Sequence, residues 1–116
     1  MKSVKVVEVE STQVGQNPHN VESKSLYNTE HATVTHLTLR PGEQLKHHIT
    51  PTNVFFYVLE GRGIVEVGDE QREVGPDTLI ESPKDIPHCW YNRGSGVLRF
   101  LVCKVPRQIE PTQILE

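Results

Sequence analysis

Apolar and β-branched residues in this chain fall into short runs that turn-forming residues separate. Residues 32–39 are rich in β-branched side chains and end at Arg40-Pro41-Gly42, where proline fixes φ and glycine tolerates a positive φ. Residues 53–60 are the most apolar run, and this pattern predicts a strand covered on both faces at the centre of a sheet. The predicted strands are residues 4–9, 32–39, a strand beginning near Lys46, 53–60, 64–67, 71–74, 78–81, 87–91 and 97–104.

Composition favours strands over helices. The 116 residues include 15 Val, 6 Ile and 9 Thr but a single Ala. β-branched side chains are stiff at χ1 and pack better on a pleated sheet than on a helix. Eight glycines and eight prolines, spread along the chain, supply the turns that many short strands need. We therefore predict an all-β fold of about eight or nine antiparallel strands, arranged as a sandwich or jelly-roll barrel.

The length of 116 residues fits a single domain. Within it, residues 1–31 are predicted to form an N-terminal strand and loop, residues 32–106 the barrel core and residues 107–116 an extended C-terminal arm.

Charge and cysteine content argue against several classes of function. With 12 Lys and Arg against 15 Asp and Glu, the net charge is -3, and no segment is basic enough to follow a nucleic-acid backbone. No apolar run reaches the roughly 18 residues of a membrane span, and the N-terminal residues lack the apolar stretch of a signal peptide. Cys89 and Cys103 are too far apart for a paired-cysteine metal site, so we expect free thiols. These features favour a cytoplasmic protein that binds a small molecule rather than nucleic acid or membrane.

Two motifs in the predicted barrel core resemble the signatures of the cupin superfamily. In the first motif, Gly42, His48 and Gly61 stand at that family's glycine, histidine and glycine positions. In the second, His88 and Asn92 occupy the corresponding family positions. The resemblance implies a jelly-roll barrel whose interior holds a small ligand and, in the usual case, a metal bound by three histidines and one glutamate.

The chain departs from the family pattern at the residues that carry metal chemistry. Thr50 stands at the position of the second histidine, and Val54 stands at the position of the glutamate. Asp85 replaces the glycine that precedes the second-motif histidine. Of the usual ligand set only His48 and His88 remain, so the expected cofactor is a divalent transition metal (Zn, Ni, Fe or Mn) that is weakly bound or absent.

Strand geometry separates the two adjacent histidines of the first motif. Adjacent residues on a strand point to opposite faces, so only one of His47 and His48 enters the barrel unless the strand bulges. Register with Gly42 favours His48 as the inward residue. The candidate ligand pocket comprises His48, Thr50, Val54, Phe56, His88 and Trp90, and the candidate metal ligands are His48 and His88. The same two histidines are also compatible with hydrogen-bonded barrel residues that never bind a metal.

Three functions stay open at this point. The first is a binding barrel that holds a small molecule or sequesters a metal. The second, implied by the resemblance, is a metal-dependent enzyme of dioxygenase, decarboxylase or isomerase type. The third is metal-free acid–base catalysis like that of sugar epimerases, which needs a carboxylate to orient the histidine, and the sequence shows none on the expected face. Whether the chain is an enzyme is therefore left open, because a jelly roll hosts many unrelated functions.

Alternation along residues 53–60 also predicts an apolar outer surface. If Phe56 faces the interior, then Phe55, Tyr57 and Leu59 project from the opposite face. Contiguous apolar patches usually mark interfaces, and cupin-like barrels often pair through this sheet. We therefore expect a two-fold homodimer that also takes in the outer face near His36. The alternative is that the N-terminal strand or the C-terminal tail covers this face within one chain.

Overall fold

Ten short strands make up the regular structure of the described residues. The computed structural model describes residues 3–116, so that Met1 and Lys2 of the predicted N-terminal region lie outside the described residues. The strands are β1 (Glu22–Asn28), β2 (Thr33–Leu39), β3 (His48–Ile49), β4 (Val54–Glu60), β5 (Gly63–Val67), β6 (Glu70–Val74), β7 (Leu79–Ser82), β8 (His88–Tyr91), β9 (Leu98–Lys104) and β10 (Gln113–Ile114). Within residues 3–116 there is no helix that is long and apolar enough to cross a membrane.

The strands form two antiparallel sheets that face each other. One five-stranded sheet has the order β1-β2-β9-β4-β7, and the other has the order β10-β3-β8-β5-β6. The predicted all-β jelly-roll fold is confirmed. The predicted strands between residues 32 and 104 correspond to β2 through β9. The prediction that residues 53–60 lie at the centre of a sheet and are covered on both faces was wrong, because β9 is central and β4 is fully buried on one face only.

The prediction for the N-terminal end was also wrong. No strand forms at residues 4–9, where Val4 is 87% exposed and Val6 is 76% exposed. The first strand is instead β1, which pairs with β2 and has no strand on its other side. At the C-terminal end, the predicted extended arm contains β10, which pairs with β3 and places Ile114 opposite His48.

The core lies between the inner faces of the two sheets. Trp90 from β8 stacks on Phe100 from β9, with ring centroids 4.2 Å apart and ring planes 18° apart. Phe56 from β4 packs edge-on against both rings. Each such buried aromatic side chain stabilises the fold by roughly 1.5–3 kcal/mol. The inward-facing residues of β3 and β8 are therefore held against a rigid aromatic core.

The turn before β8 keeps the backbone conformation that glycine favours. Asp85 has φ of 65°, in the left-handed region that Asp tolerates better than most other side chains. The Asp85 N–H donates to the Thr50 carbonyl at 3.1 Å, which ties this turn to the residue after β3. The change from the family glycine to Asp85 therefore leaves the approach to His88 intact.

Candidate functional site

Two buried histidines meet inside the barrel. β3 and β8 pair His48 directly with His88, and these residues are 7% and 2% exposed. Their Nε2 atoms lie 2.9 Å apart, and their rings meet edge to face with centroids 4.4 Å apart. We call His48 and His88 the inner pair.

Each ring of the inner pair has a partner on its other nitrogen. The Lys46 carbonyl lies 2.6 Å from His48 Nδ1, and because a carbonyl only accepts, that nitrogen carries the proton. A neutral His48 ring then has its lone pair on Nε2, and His88 Nε2 donates to it. This leaves His88 Nδ1 to accept from the Ser82 hydroxyl at 2.6 Å. A continuous chain of hydrogen bonds runs from Ser82 through both imidazoles to the Lys46 carbonyl.

Burial keeps both rings of the inner pair neutral. Desolvation, followed by the charge of His48, lowers the pKa of His88 to about 3. Desolvation also lowers the pKa of His48, although the hydrogen bond to the Lys46 carbonyl opposes it. Neutral imidazole is the form that binds transition metals.

Two other predicted pocket residues contact the inner pair. Thr50 Oγ1 lies 3.4 Å from His88 Nε2. The Phe56 ring stands edge-on to the His88 ring, with centroids 5.3 Å apart. The structure thus brings a hydroxyl and an aromatic ring to the side of His88.

The remaining two predicted pocket residues have a different environment. Val54 is 3% exposed and pairs with Ser82 across the sheet, so it places an apolar side chain beside the hydroxyl that bonds His88. Trp90 is completely buried in the aromatic core, and its indole nitrogen has no hydrogen-bond partner among the described residues. The structure therefore places Trp90 behind the site rather than in it.

Sequence reasoning missed two residues of this site. Ser82 comes from β7 in the opposite sheet and is completely buried. His19 comes from the loop before β1, and its ring centroid lies 4.6 Å from that of His48. The Lys46 N–H donates to His19 Nδ1 at 2.9 Å, and desolvation, followed by the charge of His48, lowers the pKa of His19 to about 4. Neither residue belongs to a spaced motif, so no signal in the sequence marks them.

A cleft lined by both apolar and charged side chains opens at the edge of the barrel, and two of its lining residues are neighbours of His88 and Ser82. The cleft has a volume of about 410 Å³ and lies between β6 and β7. Its apolar lining is Val65, Val67, Val74, Leu79 and Ile80. Val67 pairs directly with His88 across β5 and β8, and Ile80 shares a face of β7 with Ser82. Volumes of about 300–1,000 Å³ are typical of small-molecule sites.

The inner pair fits a transition-metal ion in part. Two nitrogens bound at about 2.1 Å to one tetrahedral ion stand about 3.4 Å apart, so the observed separation of 2.9 Å has to widen by about 0.5 Å when an ion binds. Metal binding requires the ring proton of His88 to move from Nε2 to Nδ1. The Ser82 hydroxyl can then accept a hydrogen bond from Nδ1 instead of donating one to it. Val54 supplies no ligand atom, and a tight transition-metal site normally has three or four protein ligands. The residues therefore fit a weakly held, exchangeable ion.

A second polar cluster lies on the outer face of the same sheet. We call His47, Glu66 and Cys89 the outer cluster. His47 Nε2 lies 2.7 Å from Glu66 Oε2 and 3.3 Å from Cys89 Sγ. One candidate ligand atom from each of the three residues lies within 4.8 Å of the other two. On the other side of the ring, Glu116 Oε2 lies 3.1 Å from His47 Nδ1.

Hydrogen bonds hold the outer cluster in place. Gln71 Nε2 and the Tyr91 hydroxyl donate to Glu66 Oε1 at 2.7 and 3.3 Å. The hydrogen bond to Glu66 is the main cause that raises the pKa of His47. Burial raises the pKa of the Cys89 thiol to about 11. The cluster draws on distant parts of the chain, which explains why its spacing gives no recognisable motif.

Comparison of the sequence with known proteins finds a family and two relatives. The family model described as a cupin domain matches residues 35–104. An uncharacterized protein of Methanocaldococcus jannaschii is 37% identical over 73 residues, which are 62% of this chain and 58% of that protein. A second uncharacterized protein of the same organism is 26% identical over 84 residues, which are 72% of each chain. The match thus spans little more than half the length of the first relative.

Solved structures of low sequence identity share the fold. The polyketide cyclase RemF from Streptomyces resistomycificus has a TM-score of 0.85 at 21% identity, and the match covers 98% of this chain and 87% of that one. A predicted oxalate decarboxylase from Thermotoga maritima has a TM-score of 0.79 at 19% identity, covering 89% and 100%. An RmlC-like protein from Methanocaldococcus jannaschii with a double-stranded β-helix fold has a TM-score of 0.73 at 22% identity, covering 90% and 94%. At these identities the likeness shows the fold alone.

Proposed function

Since this chain belongs to the cupin family, we propose that its barrel binds a small-molecule ligand beside the inner pair and that this pair weakly holds a divalent transition metal. A bound ion of this kind supplies a Lewis acid that polarises an oxygen of the ligand. We place the protein in the cytoplasm because Cys89 and Cys103 are both free thiols.

The observation that carries the proposal is the position of the two facing nitrogens. The Nε2 atoms of His48 and His88 lie 2.9 Å apart, and burial keeps both rings neutral. His48 donates its single ring proton, on Nδ1, to the Lys46 carbonyl, which is the kind of partner that orients metal-binding histidines. The inner pair is thus oriented before any ion arrives.

The cleft between β6 and β7 is the proposed place for the ligand. Its apolar wall includes Val67 and Ile80, which are neighbours of His88 and Ser82. A ligand in the cleft gains affinity from apolar contact with this wall, while the charged side chains of the lining, such as Arg72 and Glu81, fix the orientation of its polar groups.

Metal-free acid–base catalysis has less support. The inner pair is oriented by the Lys46 carbonyl and the Ser82 hydroxyl, and neither is a carboxylate. A general acid or base works best with a pKa near the working pH, whereas the pKa of His88 is about 3. At neutral pH this ring is a weak base and has no acidic proton to give.

A metal-dependent enzyme is the second candidate. The observation that favours it is the shared fold with a polyketide cyclase and a predicted oxalate decarboxylase. A catalytic zinc site normally has three protein ligands, and the inner pair offers two. We therefore rank ligand binding above catalysis.

Metal titration of variants tests the metal part of the proposal. A Cys89→Ser background removes the sulfur of the outer cluster, and in it we expect reversible binding of Ni²⁺ and Zn²⁺ in preference to Mg²⁺. His88→Ala should weaken Ni²⁺ binding at least tenfold, because it removes one of two ligands. His31→Ala, at a histidine whose side chain is 84% exposed, is the control. Equal affinity in the two variants contradicts the metal site, and an ion that survives prolonged chelation contradicts weak binding.

An NMR screen of small-molecule fragments tests the ligand part. We expect binding fragments to shift the methyl resonances of Val67 and Ile80. Ile80→Trp fills the cleft and should abolish these shifts, whereas Ile109→Trp, at a residue that is 94% exposed, should not. Fragments that bind equally well to both variants contradict the cleft as the ligand site.

A further inference from the structure

We propose that the outer cluster is a second metal site, in which His47, Glu66 and Cys89 bind Zn²⁺ or a similar transition ion. This site is separate from the inner pair. His47 precedes His48, and Cys89 follows His88, so strand alternation turns each of these residues to the opposite face of the sheet.

The fold brings the three donor atoms together from separate elements. β5 and β8 pair Glu66 directly with Cys89, and His47 lies immediately before β3, the other neighbour of β8. A tetrahedral zinc ion holds nitrogen, oxygen and sulfur ligands about 3.4–3.6 Å from one another. His47 Nε2 is already 3.3 Å from Cys89 Sγ, and its 2.7 Å contact with Glu66 needs to open by less than about 1 Å.

The charge of the ligands matches a divalent cation. Without a metal, His47 donates from Nε2 to Glu66 and from Nδ1 to Glu116, so its ring carries both protons. Binding replaces the Nε2 proton of His47 and the thiol proton of Cys89 with one ion, so two protons leave, one dication enters and the net charge is unchanged. A thiol that coordinates a metal is deprotonated outright. Thiolate and imidazole ligands favour Zn²⁺ and Co²⁺ over Mg²⁺ and Ca²⁺.

The surroundings of the outer cluster resemble those of functional metal sites. Glu116 accepts from His47 Nδ1, and Gln71 and Tyr91 donate to the carboxylate oxygen of Glu66 that does not face the ring. Such partners orient metal ligands. The side chains of His47 and Glu66 are 34% and 17% exposed, so an ion reaches the site from solvent and a fourth position stays open to water or a small ligand.

Co²⁺ absorption spectroscopy tests this site independently of the inner pair. A thiolate ligand gives Co²⁺ a near-ultraviolet charge-transfer band that imidazole and carboxylate ligands do not give. Under reducing conditions we expect the wild-type protein to develop this band, and Zn²⁺ to remove it by competition. Cys89→Ala should abolish the band, whereas Cys103→Ala, the matched change in the other sheet, should keep it.

Two further variants complete the test. Glu66→Gln should weaken Co²⁺ binding at least tenfold, and because its side chain is partly exposed, it serves as the second test if Cys89→Ala fails to fold. His88→Ala should leave the band unchanged, because the inner pair is not involved. The proposal is overturned by the absence of a band in the wild type, by its persistence in folded Cys89→Ala or by its loss in folded His88→Ala. Any of these results leaves the Ni²⁺ test of the inner pair valid.

Discussion

Thr50 and Val54 stand where the cupin pattern has a histidine and a glutamate, so under the proposed function they limit how tightly the inner pair binds an ion. Thr50 Oγ1 lies 3.4 Å from His88 Nε2, so a longer side chain at this position reaches the space between the two histidines. We predict that Thr50→His combined with Val54→Glu raises the affinity for Ni²⁺ by orders of magnitude, because it adds an imidazole and a carboxylate. Each factor of ten corresponds to about 1.4 kcal/mol of binding free energy. Competition with a chelator of known affinity measures the gain.

The stability of the same double variant provides a control. Position 54 is buried, so a glutamate there has to be desolvated and has no partner in the metal-free protein. The variant should therefore be less stable than the wild type without metal and should recover stability when Ni²⁺ is added. A folded variant with unchanged Ni²⁺ affinity would show that the nitrogens of the inner pair do not converge on one ion.

His36 is a buried histidine that makes stability depend on pH. It is 1% exposed, and neither ring nitrogen has a hydrogen-bond partner among residues 3–116. Desolvation, followed by the charge of Arg99, lowers its pKa in the folded state. The unfolded chain, with an ordinary histidine pKa of about 6.5, binds the proton more readily. Stability is therefore highest above about pH 6.5 and falls as the pH drops from there towards the folded pKa.

Replacement of His36 by an apolar residue tests this pH dependence. We predict that His36→Leu raises the free energy of unfolding by about 1–3 kcal/mol near neutral pH, because it removes a buried polar group without a partner. The variant should also lose less stability than the wild type when the pH falls to about 5.5. Urea unfolding at the two pH values measures both effects, with His31→Leu as the exposed control. If the free energy of unfolding depends on pH equally in His36→Leu and in the wild type, titratable groups other than His36 cause the loss of stability at low pH.

At the level of elements, the pattern of the chain predicted the strands between residues 32 and 104 better than the first and last strands, β1 and β10. β2, β4, β5, β8 and β9 have neighbours on both sides, and their apolar side chains carry a clear signal. β1 is mostly polar and is held extended by its hydrogen bonds to β2 and by a β-bridge between Gly15 and Ser23, so its own side chains do not predict a strand. At residues 4–9 the error is the reverse: a strand was predicted and none forms. Apolar residues do not form a strand where no neighbouring strand pairs with them.

The turn before β8 supports a prediction about backbone strain. Asp85 has φ of 65°, where a Cβ atom costs about 1–2 kcal/mol. We expect Asp85→Gly to keep or slightly raise stability and Asp85→Val to lower it by about 1–3 kcal/mol, because a β-branched side chain tolerates this region least. The midpoint of urea unfolding compares the two variants at one position. A valine variant as stable as the glycine variant would mean that the turn adopts another conformation in solution.

At the level of the whole molecule, the resemblance to cupins located only part of the site. It placed His48 and His88 together in the barrel interior because both lie in recognisable motifs, and the structure adds that they pair directly across β3 and β8. Ser82 and His19 join them only when β7 of the opposite sheet and the N-terminal loop close over β3 and β8. The outer cluster likewise depends on the register of β5 with β8, which sequence spacing does not encode. Strand alternation predicted that one of the two adjacent histidines, His47 or His48, points outward. It did not predict which side chains that histidine contacts on the outer face.

The outer face of the first sheet presents apolar side chains to solvent. Phe55, Tyr57 and Leu59 are half-buried, while Leu79 and Tyr27 on the same sheet are 52% and 53% exposed. The N-terminal segment meets this sheet beside β1, where the Lys24 ammonium donates to the carbonyl of Val9 at 2.8 Å. We predict that a second copy of the chain covers the apolar positions and forms a two-fold homodimer.

The Tyr57→Asp variant tests the homodimer. Tyr57 pairs with Leu79 on one side and Leu101 on the other, so its side chain lies within the apolar surface. Burial of a large apolar side chain is worth roughly 1.5–3 kcal/mol, so a carboxylate in its place should shift the dimer towards monomer or aggregate. Ile109→Asp, at a residue that is 94% exposed, should leave the assembly unchanged. Sedimentation velocity at micromolar concentration distinguishes the species. A wild-type protein that sediments only as a 13.2 kDa monomer would rule out the dimer and leave this face to the chain's own N-terminal segment.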